Sequence, residues 1–210
     1  MTAAPLRPIH LVRALGVALL ALALGGCATF GGGEDQRSGD GESAVDGGEA
    51  LAPLALQQVM GDWYVIAHTP WFGERGRVAS RITYAPDGED RVRMLRSWRQ
   101  GFAQPVESDD GVARAREGTG NRVWTMRLFG VLPSRLRILE VAEDNRWMLV
   151  RAEGRDHAWI LSRTAVVGDE EYRELEARIA AHGVNTDKLR RVAQVPAQAN
   201  KLGFEPSDLP

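Results

Sequence analysis

Two short segments about a hundred residues apart constrain the fold of this chain most strongly. Gly61-Asp62-Trp63-Tyr64 opens the first clear strand pattern, and Trp159-Ile160-Leu161-Ser162-Arg163-Thr164 closes the last one. A Gly-x-Trp on a first strand and an arginine at the end of a last strand suit a β-barrel that closes on itself. Trp63 would plug one end of it, and Arg163 would lie across the indole ring as a cation–π partner.

The residues between these segments alternate apolar and polar side chains with the two-residue period of β-strands. Pro86-Asp87-Gly88 and Gly118-Thr119-Gly120-Asn121 are strong turn signals between the alternating runs. The pattern predicts eight strands, at about 61–68, 77–84, 92–99, 111–117, 123–129, 135–141, 146–152 and 156–163. Eight short strands at close intervals predict an all-β fold, an eight-stranded antiparallel up-and-down barrel.

The period changes to that of a helix after the last predicted strand. Asp169 can cap a helix that ends near Gly183, and Tyr172, Leu175 and Ile179 recur between them at helical spacing. We expect this C-terminal α-helix to pack with its apolar stripe against the outside of the barrel.

The N-terminus has the organisation of a bacterial lipoprotein signal. Basic residues precede an apolar run at 14–24, which is too short to span a bilayer, and Leu24-Gly25-Gly26-Cys27 follows it. Small residues directly before the single cysteine resemble a lipobox, which predicts cleavage after residue 26 and lipidation of Cys27. A plain signal peptide with an incidental cysteine, and an N-terminal anchor helix, are the alternatives.

The sequence therefore divides into four parts. Residues 1–26 are a predicted signal peptide, and residues 27–52 are a lipidated cysteine with a flexible, acidic, glycine-rich tether. Residues 53–196 form the predicted barrel with its C-terminal helix and a last short strand near 189–195. We expect residues 197–210 to be a disordered tail.

The chain resembles the lipocalin family, in particular the bacterial outer-membrane lipocalins, over about residues 53–195. The resemblance is strongest at Gly61–Ala67 and Arg155–Thr164, and the lipobox and the late helix strengthen it. It implies a cavity for a small apolar ligand, and it implies a structural role in barrel closure for Gly61, Trp63 and Arg163. The family usually has Asp-Tyr before the last strand, whereas this chain has Asp156-His157, which puts a role for an aromatic hydroxyl in doubt.

The resemblance also implies a location. Mature lipoproteins of this kind carry several acyl chains, so attachment to the membrane would be effectively permanent. Ala28 follows the cysteine in place of the aspartate that retains such proteins in the inner membrane of enteric bacteria. We therefore expect a lipid anchor in the outer membrane, with the barrel in the periplasm.

The inward faces of the middle strands are expected to line the cavity. The candidates for ligand contact are the large apolar residues on these faces: Trp98, Trp124, Met126, Leu128, Leu136, Ile138 and Trp159. The alternative for each is that it fills the closed end of the barrel, as small barrels require.

Arg96 is the polar candidate. It shares a strand face with Met94 and Trp98, and an inward arginine is costly unless it meets an anion. A fatty-acid carboxylate or a lysophospholipid phosphate would satisfy it. The alternatives are an arginine that reaches water at the open end, or a different register, and the direction of Glu140 is equally open.

Several functional classes lack a signal in the sequence. A net charge of −2 gives no global positive field for nucleic acid, and a single cysteine cannot form an intramolecular disulfide. No HExxH, CxxC or Cys/His cluster predicts a metal or a cofactor. His68, His157 and His182 stand in no recognisable catalytic triad, so we do not predict an enzyme.

These observations predict a membrane-tethered protein that binds a fatty acid such as palmitate, or a lysophospholipid, for lipid storage, transport or envelope maintenance. An envelope lipoprotein with a filled barrel is the first alternative, and a barrel enzyme acting on a lipid-like substrate is the second. Trp71 and Phe72 follow the first strand. They have three candidate roles: guarding the cavity mouth, entering the lipid interface, or contacting a second copy in a homodimer.

Overall fold

The computed structural model describes residues 52–128 and 132–207, without the side chains of residues 128 and 132. The predicted signal peptide, Cys27 and the tether as far as residue 51 lie outside the described residues, as do residues 208–210.

Eight antiparallel strands form a closed barrel. Each strand pairs with the next one along the chain, and β1 pairs with both β8 and β2, which closes the sheet. The strands are β1 (Gly61–His68), β2 (Val78–Pro86), β3 (Arg91–Arg99), β4 (Glu107–Ala115), β5 (Val123–Leu128), β6 (Leu132–Val141), β7 (Trp147–Ala152) and β8 (Ala158–Ser162). This confirms the predicted up-and-down barrel. β4 begins at Glu107 rather than near residue 111, because its polar first half pairs with β3 along its length.

Two short elements flank the barrel in the chain. Helix α1 (Leu56–Val59) precedes β1, and helix α2 (Asp169–Ala181) follows β8. Tyr172, Leu175 and Ile179 of α2 are buried in a cluster with the outward side chains of β1, β7 and β8, so the helix packs outside the barrel as predicted. In the described residues, no helix has the length and apolar character needed to cross a membrane.

The start of α2 differs from the prediction. Gly168 is the N-cap and provides no side-chain cap, while Asp169 is the first helical residue. The carboxylate of Asp169 binds the guanidinium of Arg191 at 2.5 Å instead. The arginine therefore competes for the side chain that would otherwise cap the helix.

A β-bulge changes which residues of β1 face the interior. The register with β8 shifts between Val65 and Ala67, so Ile66 and Ala67 both belong to the outer cluster. His68 consequently turns inward, whereas strict alternation would place Ala67 on the inner face with Trp63. One extra residue therefore reverses the alternation after Val65.

The segment after α2 completes the barrel wall. Pairing between β1 and β2 ends at Tyr64 and Arg81, and β9 (Arg190–Arg191) pairs with the second half of β1. Beyond β9, the Gln194 side-chain amide donates to the carbonyl oxygens of Val65 and Ser80, at 2.7 and 3.1 Å, and so bridges the two diverging strands. Two 3₁₀ helices, Thr186–Lys188 and Pro196–Gln198, flank this segment.

The tail is ordered by this segment as far as the structure describes it. Phe204 forms a parallel bridge with Arg191, and the Glu205 amide donates to the Arg191 carbonyl at 2.7 Å. The expectation of disorder from residue 197 is therefore corrected for residues 197–207. The composition of this segment favours disorder, but a few specific contacts, most of them to Arg191 and to the barrel, hold it in place.

The closed end of the barrel is built on Trp63. Its indole N–H donates to the Val59 carbonyl at 2.8 Å, and the Arg163 guanidinium carbon lies 3.5 Å from the ring centroid. Arg163 also donates to the carbonyl oxygens of Asp62 and Met60, each at 2.7 Å. These contacts join the end of β8 to α1 and β1 across the end of the barrel.

Gly61 makes this contact possible. Its φ of +91° lies in a region that disfavours L side chains, and a Cβ atom there would stand 3.2 Å from Nη1 of Arg163. We therefore expect Gly61→Ala to lower the free energy of unfolding by about 1–3 kcal/mol. Urea unfolding followed by tryptophan fluorescence measures the change.

Gly111→Ala is the matched control, because a Cβ atom at Gly111 meets no atom within 4 Å and its φ is not in the left-handed region. We expect the control to unfold within about 0.5 kcal/mol of the original chain. An equal decrease in the free energy of unfolding of the two variants would show that the approach of Arg163 does not depend on Gly61.

Candidate ligand cavity

A cavity of about 90 Å³ lies inside the barrel above the closed end. Its wall is mostly apolar and is contributed by strands around the whole barrel, with Ile82, Met94, Met126, Leu136, Val150 and Leu161 among the lining residues. A single water molecule needs about 10–15 Å³ of such space, so the barrel is not completely filled by its own side chains.

Half of the predicted contact residues line this cavity. Met126, Leu136, Trp159 and Arg96 face it directly. Trp98 lies beside it in a smaller pocket near the mouth, which it shares with Arg77 and His68. Leu128 belongs to β5, but its side chain is outside the described part of the structure.

Trp124 and Ile138 are not among the residues that line the cavity. Both are buried in the inner core cluster with Trp63. The Trp124 ring meets Tyr84 edge-on at 5.3 Å between centroids, and its N–H donates to the Asn121 carbonyl at 2.8 Å in the β4–β5 turn. They face inward as the alternation predicts, but they fill the closed end, which was the alternative for each residue.

Sequence reasoning missed much of the wall. Ile82, Val150 and Leu161 are not among the predicted contacts, and Met94 is predicted only to share a strand face with Arg96. Each of the four lies at an inward position of an alternating strand. The two-residue period was the signal available for them. It gives the face of the sheet that a residue occupies, but not its height along the barrel axis.

Trp71 and Phe72 have different environments. Trp71 lines the cavity from the β1–β2 loop and meets the Phe72 ring edge-on at 4.8 Å. Phe72 itself is 87% exposed. Trp71 therefore guards the cavity mouth, while the lipid interface and a second copy of the chain stay open as roles for Phe72.

Arg96 faces the cavity, but its charge is already matched. Its Nε and Nη2 donate to the two carboxylate oxygens of Asp109 at 2.7 and 2.8 Å. Arg77, beside it, stacks on the Trp98 ring at 3.6 Å, and burial lowers the pKa of Arg77. The expected anion for Arg96 is thus supplied by the protein itself.

Glu140 points away from the cavity. A register shift between Ile138 and Glu140 marks a bulge in β6. The Glu140 carboxylate accepts from Arg178 at 2.9 Å and lies 3.4 Å from Nε2 of His182, both on the α2 side of the barrel. Glu140 therefore helps to hold the helix and does not contact a ligand in the barrel.

A buried ionic cluster lies at the mouth, where the bulge in β1 turns His68 inward. His68 Nε2 lies 2.6 Å from a carboxylate oxygen of Glu205 in the tail, and Nδ1 lies 3.2 Å from Glu74 in the β1–β2 loop. The other Glu205 oxygen accepts from the Gly76 amide at 3.3 Å. The cluster thus ties the tail and the loop that carries Trp71 to β1.

The two carboxylates control the protonation of His68. Burial is the largest single influence and lowers its pKa, but the hydrogen bonds and charges of Glu205 and Glu74 outweigh burial and raise the pKa to about 9. Burial likewise favours neutral Glu74, but His68 more than compensates, so the pKa of Glu74 is lowered. At neutral pH the three side chains form a charged network.

His157 is a polar residue in the cavity wall. The ring lines the cavity wall, and its Nδ1 is buried with no hydrogen-bond partner among residues 52–128 and 132–207. In the same part of the chain, no group of three or more histidine, cysteine, aspartate or glutamate side chains is arranged to hold a metal ion.

Comparison with known proteins agrees with this geometry. The family profile described as Lipocalin-like domain matches residues 54–194, about two thirds of the chain. This chain belongs to the lipocalin family. Temperature-induced lipocalin-1 of Arabidopsis thaliana is 26% identical over 162 residues, which cover 72% of this chain and 87% of the plant protein.

Bacterial and animal lipocalins are also similar. Outer membrane lipoprotein Blc of Citrobacter freundii is 24% identical over 138 residues, covering 66% of this chain and 78% of that protein. Insecticyanin from the tobacco hornworm Manduca sexta superposes with a TM-score of 0.57 at 15% identity, covering 76% and 88% of the two chains. Lobster apocrustacyanin A1 gives 0.55 at 16% identity, covering 68% and 81%. At these identities the two structures show the shared fold.

The raised pKa of His68 predicts a pH dependence of stability. A histidine that binds its proton more tightly in the folded state contributes stability that is complete below its unfolded pKa of 6.5 and is lost as the pH rises through 9. The difference corresponds to about 3 kcal/mol. Urea unfolding between pH 6 and pH 10 measures this loss.

We expect His68→Gln to remove most of this alkaline loss relative to the original chain. His182→Gln is the control, because His182 faces Glu140 on the outside of the barrel. If the original chain and the His68 variant lost stability in parallel between pH 6 and pH 10, the cluster would not hold the His68 proton as described.

Proposed function

We propose that this lipocalin binds a single-chain lipid, a fatty acid such as palmitate or a lysophospholipid, in the barrel cavity. The observation that carries the proposal is an apolar cavity that remains empty of side chains above a closed end sealed by Trp63 and Arg163. A narrow apolar space of this kind suits an acyl chain better than a bulky polar solute.

Burial of the acyl chain supplies the affinity of the barrel for the lipid. Each methylene removed from water contributes about 0.8 kcal/mol, so a long acyl chain gains several kcal/mol after the cost of immobilising it. Met94, Met126, Leu136 and Trp159 provide the contact surface. Methionine side chains adapt to the contour of a flexible ligand, which suits a protein that accepts related chains.

A binding role is favoured over the alternatives. A filled envelope barrel would leave no space, whereas about 90 Å³ is free in this one. Membership of the lipocalin family favours binding or transport over catalysis. Among the described residues, no observation favours a barrel enzyme.

The N-terminal signal supplies the location in this proposal. Lipidation of Cys27 would anchor the chain, and the acidic tether would let the barrel move beside the membrane. The Citrobacter freundii relative is named an outer membrane lipoprotein, which supports the outer membrane as the site of the anchor. Lipid storage, transport or envelope maintenance in the periplasm is the proposed role.

Blocking the cavity tests the binding proposal. Ala152 is buried and lines the cavity, so Ala152→Phe places a ring in the space proposed for the acyl chain. We expect at least a tenfold weaker affinity for hexadecanoic acid and for hexadecanol, because about 1.4 kcal/mol or more of chain burial is lost. Quenching of tryptophan fluorescence in the Cys27→Ser form of the full chain measures binding.

Ala177→Phe makes the same change at an exposed position of α2 and should leave both affinities within about twofold. Circular dichroism verifies that both variants fold. Unchanged affinity in a folded Ala152 variant, or no binding by the original chain, would contradict the proposal.

Substitution of Cys27 tests the anchor separately. We expect Cys27→Ser to abolish incorporation of radiolabelled palmitate in bacterial cells and to move the chain from the membrane fraction to the soluble fraction, because the acyl chains supply the membrane affinity. Ala28→Ser is the neighbouring control and should keep the label. A labelled Cys27 variant would exclude this cysteine as the lipidation site.

A further inference from the structure

The barrel wall opens between β4 and β5. In the part of the chain that the structure describes, these strands pair at Ala113–Ala115 with Trp124–Met126, and the Arg116 amide donates to the Val123 carbonyl just beyond. In the described residues, β4 from Glu107 to Val112 pairs with β3 alone, and Arg127 of β5 pairs with β6 alone. Antiparallel strands that do not pair diverge, so a cleft forms in the side of the barrel toward its open end.

This cleft adjoins the ligand cavity. Met126, Ser134 and Arg155 line both spaces. The cleft is open to solvent and is larger than the cavity, with about 870 Å³ of free space against about 90 Å³. A hydrated polar group therefore fits the cleft, whereas the cavity suits the acyl chain.

The charges along the cleft are mostly positive, and only some of them are matched. Arg135 lies 3.5 Å from Glu153, and Arg114 lies 3.3 Å from Asp90. Arg127 and Arg155 are exposed and form no ion pair with any residue in the described part of the chain. Of these two arginines, Arg155 lines the cavity as well as the cleft, whereas Arg127 lines the cleft.

Arg96 is the other arginine that could bind an anionic headgroup, and it is less suitable than Arg155. Two of its five N–H donors bind Asp109 through one bidentate edge of the guanidinium, and the Asp109 side chain is only 33% exposed. An incoming carboxylate that bound this edge would displace Asp109 and leave it partly buried without its partner, which is costly. An unpaired arginine at the cavity edge binds the same anion without that cost.

We propose that the β4–β5 cleft is the headgroup site, where Arg155, with Arg127 beside it, binds the carboxylate or phosphate of the lipid whose chain occupies the cavity. This inference rests on the proposed function, because it assigns one end of the same ligand. Guanidinium groups bind both carboxylate and phosphate in a bidentate manner. The exposure of Arg155 makes the contact sensitive to salt.

The test separates the charge of the ligand from its chain. Hexadecanoic acid, hexadecyl phosphate and uncharged hexadecanol are titrated into the Cys27→Ser full chain at pH 8 and low salt, where the acid is ionised. In Arg155→Gln we expect the preference for the two anions over the alcohol to fall about fivefold, the upper value for a solvent-exposed ion pair. The alcohol itself should bind within twofold of the original affinity.

Arg116→Gln is the matched control, because Arg116 is an exposed arginine in the β4–β5 turn, outside both spaces. It should change neither affinity nor preference. In Arg155→Gln, the anion that loses more of its preference over the alcohol, carboxylate or phosphate, identifies the headgroup that the cleft accepts. Added salt of 0.5 M should reduce the anion preference in the original chain and leave the alcohol affinity unchanged.

Two outcomes would overturn the inference. One is an unchanged anion preference in a folded Arg155→Gln variant, and the other is a preference lost in Arg96→Gln but kept in Arg155→Gln. Failure of hexadecanol to bind the original chain would instead overturn the proposed function. The alcohol therefore distinguishes an error about the headgroup from an error about the cavity.

Discussion

The stacking of Arg163 on Trp63 is the contact on which the rest of the barrel depends. It joins the end of β8 to the start of β1, with 3.5 Å between the guanidinium carbon and the ring centroid. The same guanidinium binds main-chain carbonyl oxygens on both sides of Gly61, so it fixes the entry of the chain into the barrel. An arginine satisfied in this way is both a cation–π partner and a substitute for missing main-chain donors. Because one end is sealed, a ligand can enter only from the mouth or through the wall.

The opposite end depends on segments distant in sequence. β1 and β2 separate beyond Tyr64, and Gln194 and its neighbours fill the resulting gap. The tail then returns to His68 through Glu205, which also binds the loop carrying Trp71. The mouth is therefore held by a polar network, whereas the closed end is held by stacking and packing. Polar networks of this kind weaken when a member changes its protonation, and apolar packing does not.

Much of the fold could be predicted from the sequence because alternation and turn residues act locally. β1 was predicted with the observed bounds, and the pairing of Trp63 with Arg163 followed from their places at the two ends of the strand series. The bulges in β1 and β6 could not be predicted, since one extra residue reverses the alternation without a signature in composition. The inward turn of His68 and the outward turn of Glu140 both follow from these bulges. Trp124 shows a second limit of prediction from alternation. The inward direction of its side chain could be predicted, but its position along the barrel axis could not.

The partners of the charged residues were the least predictable part of the site. Arg96 meets Asp109 because β3 and β4 place them opposite each other, and that register depends on the early start of β4. Glu205 reaches His68 across 137 positions of sequence. The cations at the mouth are protonated His68, Arg77 and Arg96. The carboxylates around them are Glu74, Glu205, Asp109 and Glu107, so no cation there lacks a matching negative charge. A mouth of this kind gives no net attraction for an anionic headgroup. Arg155 instead carries an unpaired positive charge at the edge of the cavity, beside the cleft where β4 and β5 separate. An anionic headgroup is therefore attracted to the side of the barrel and not to its mouth.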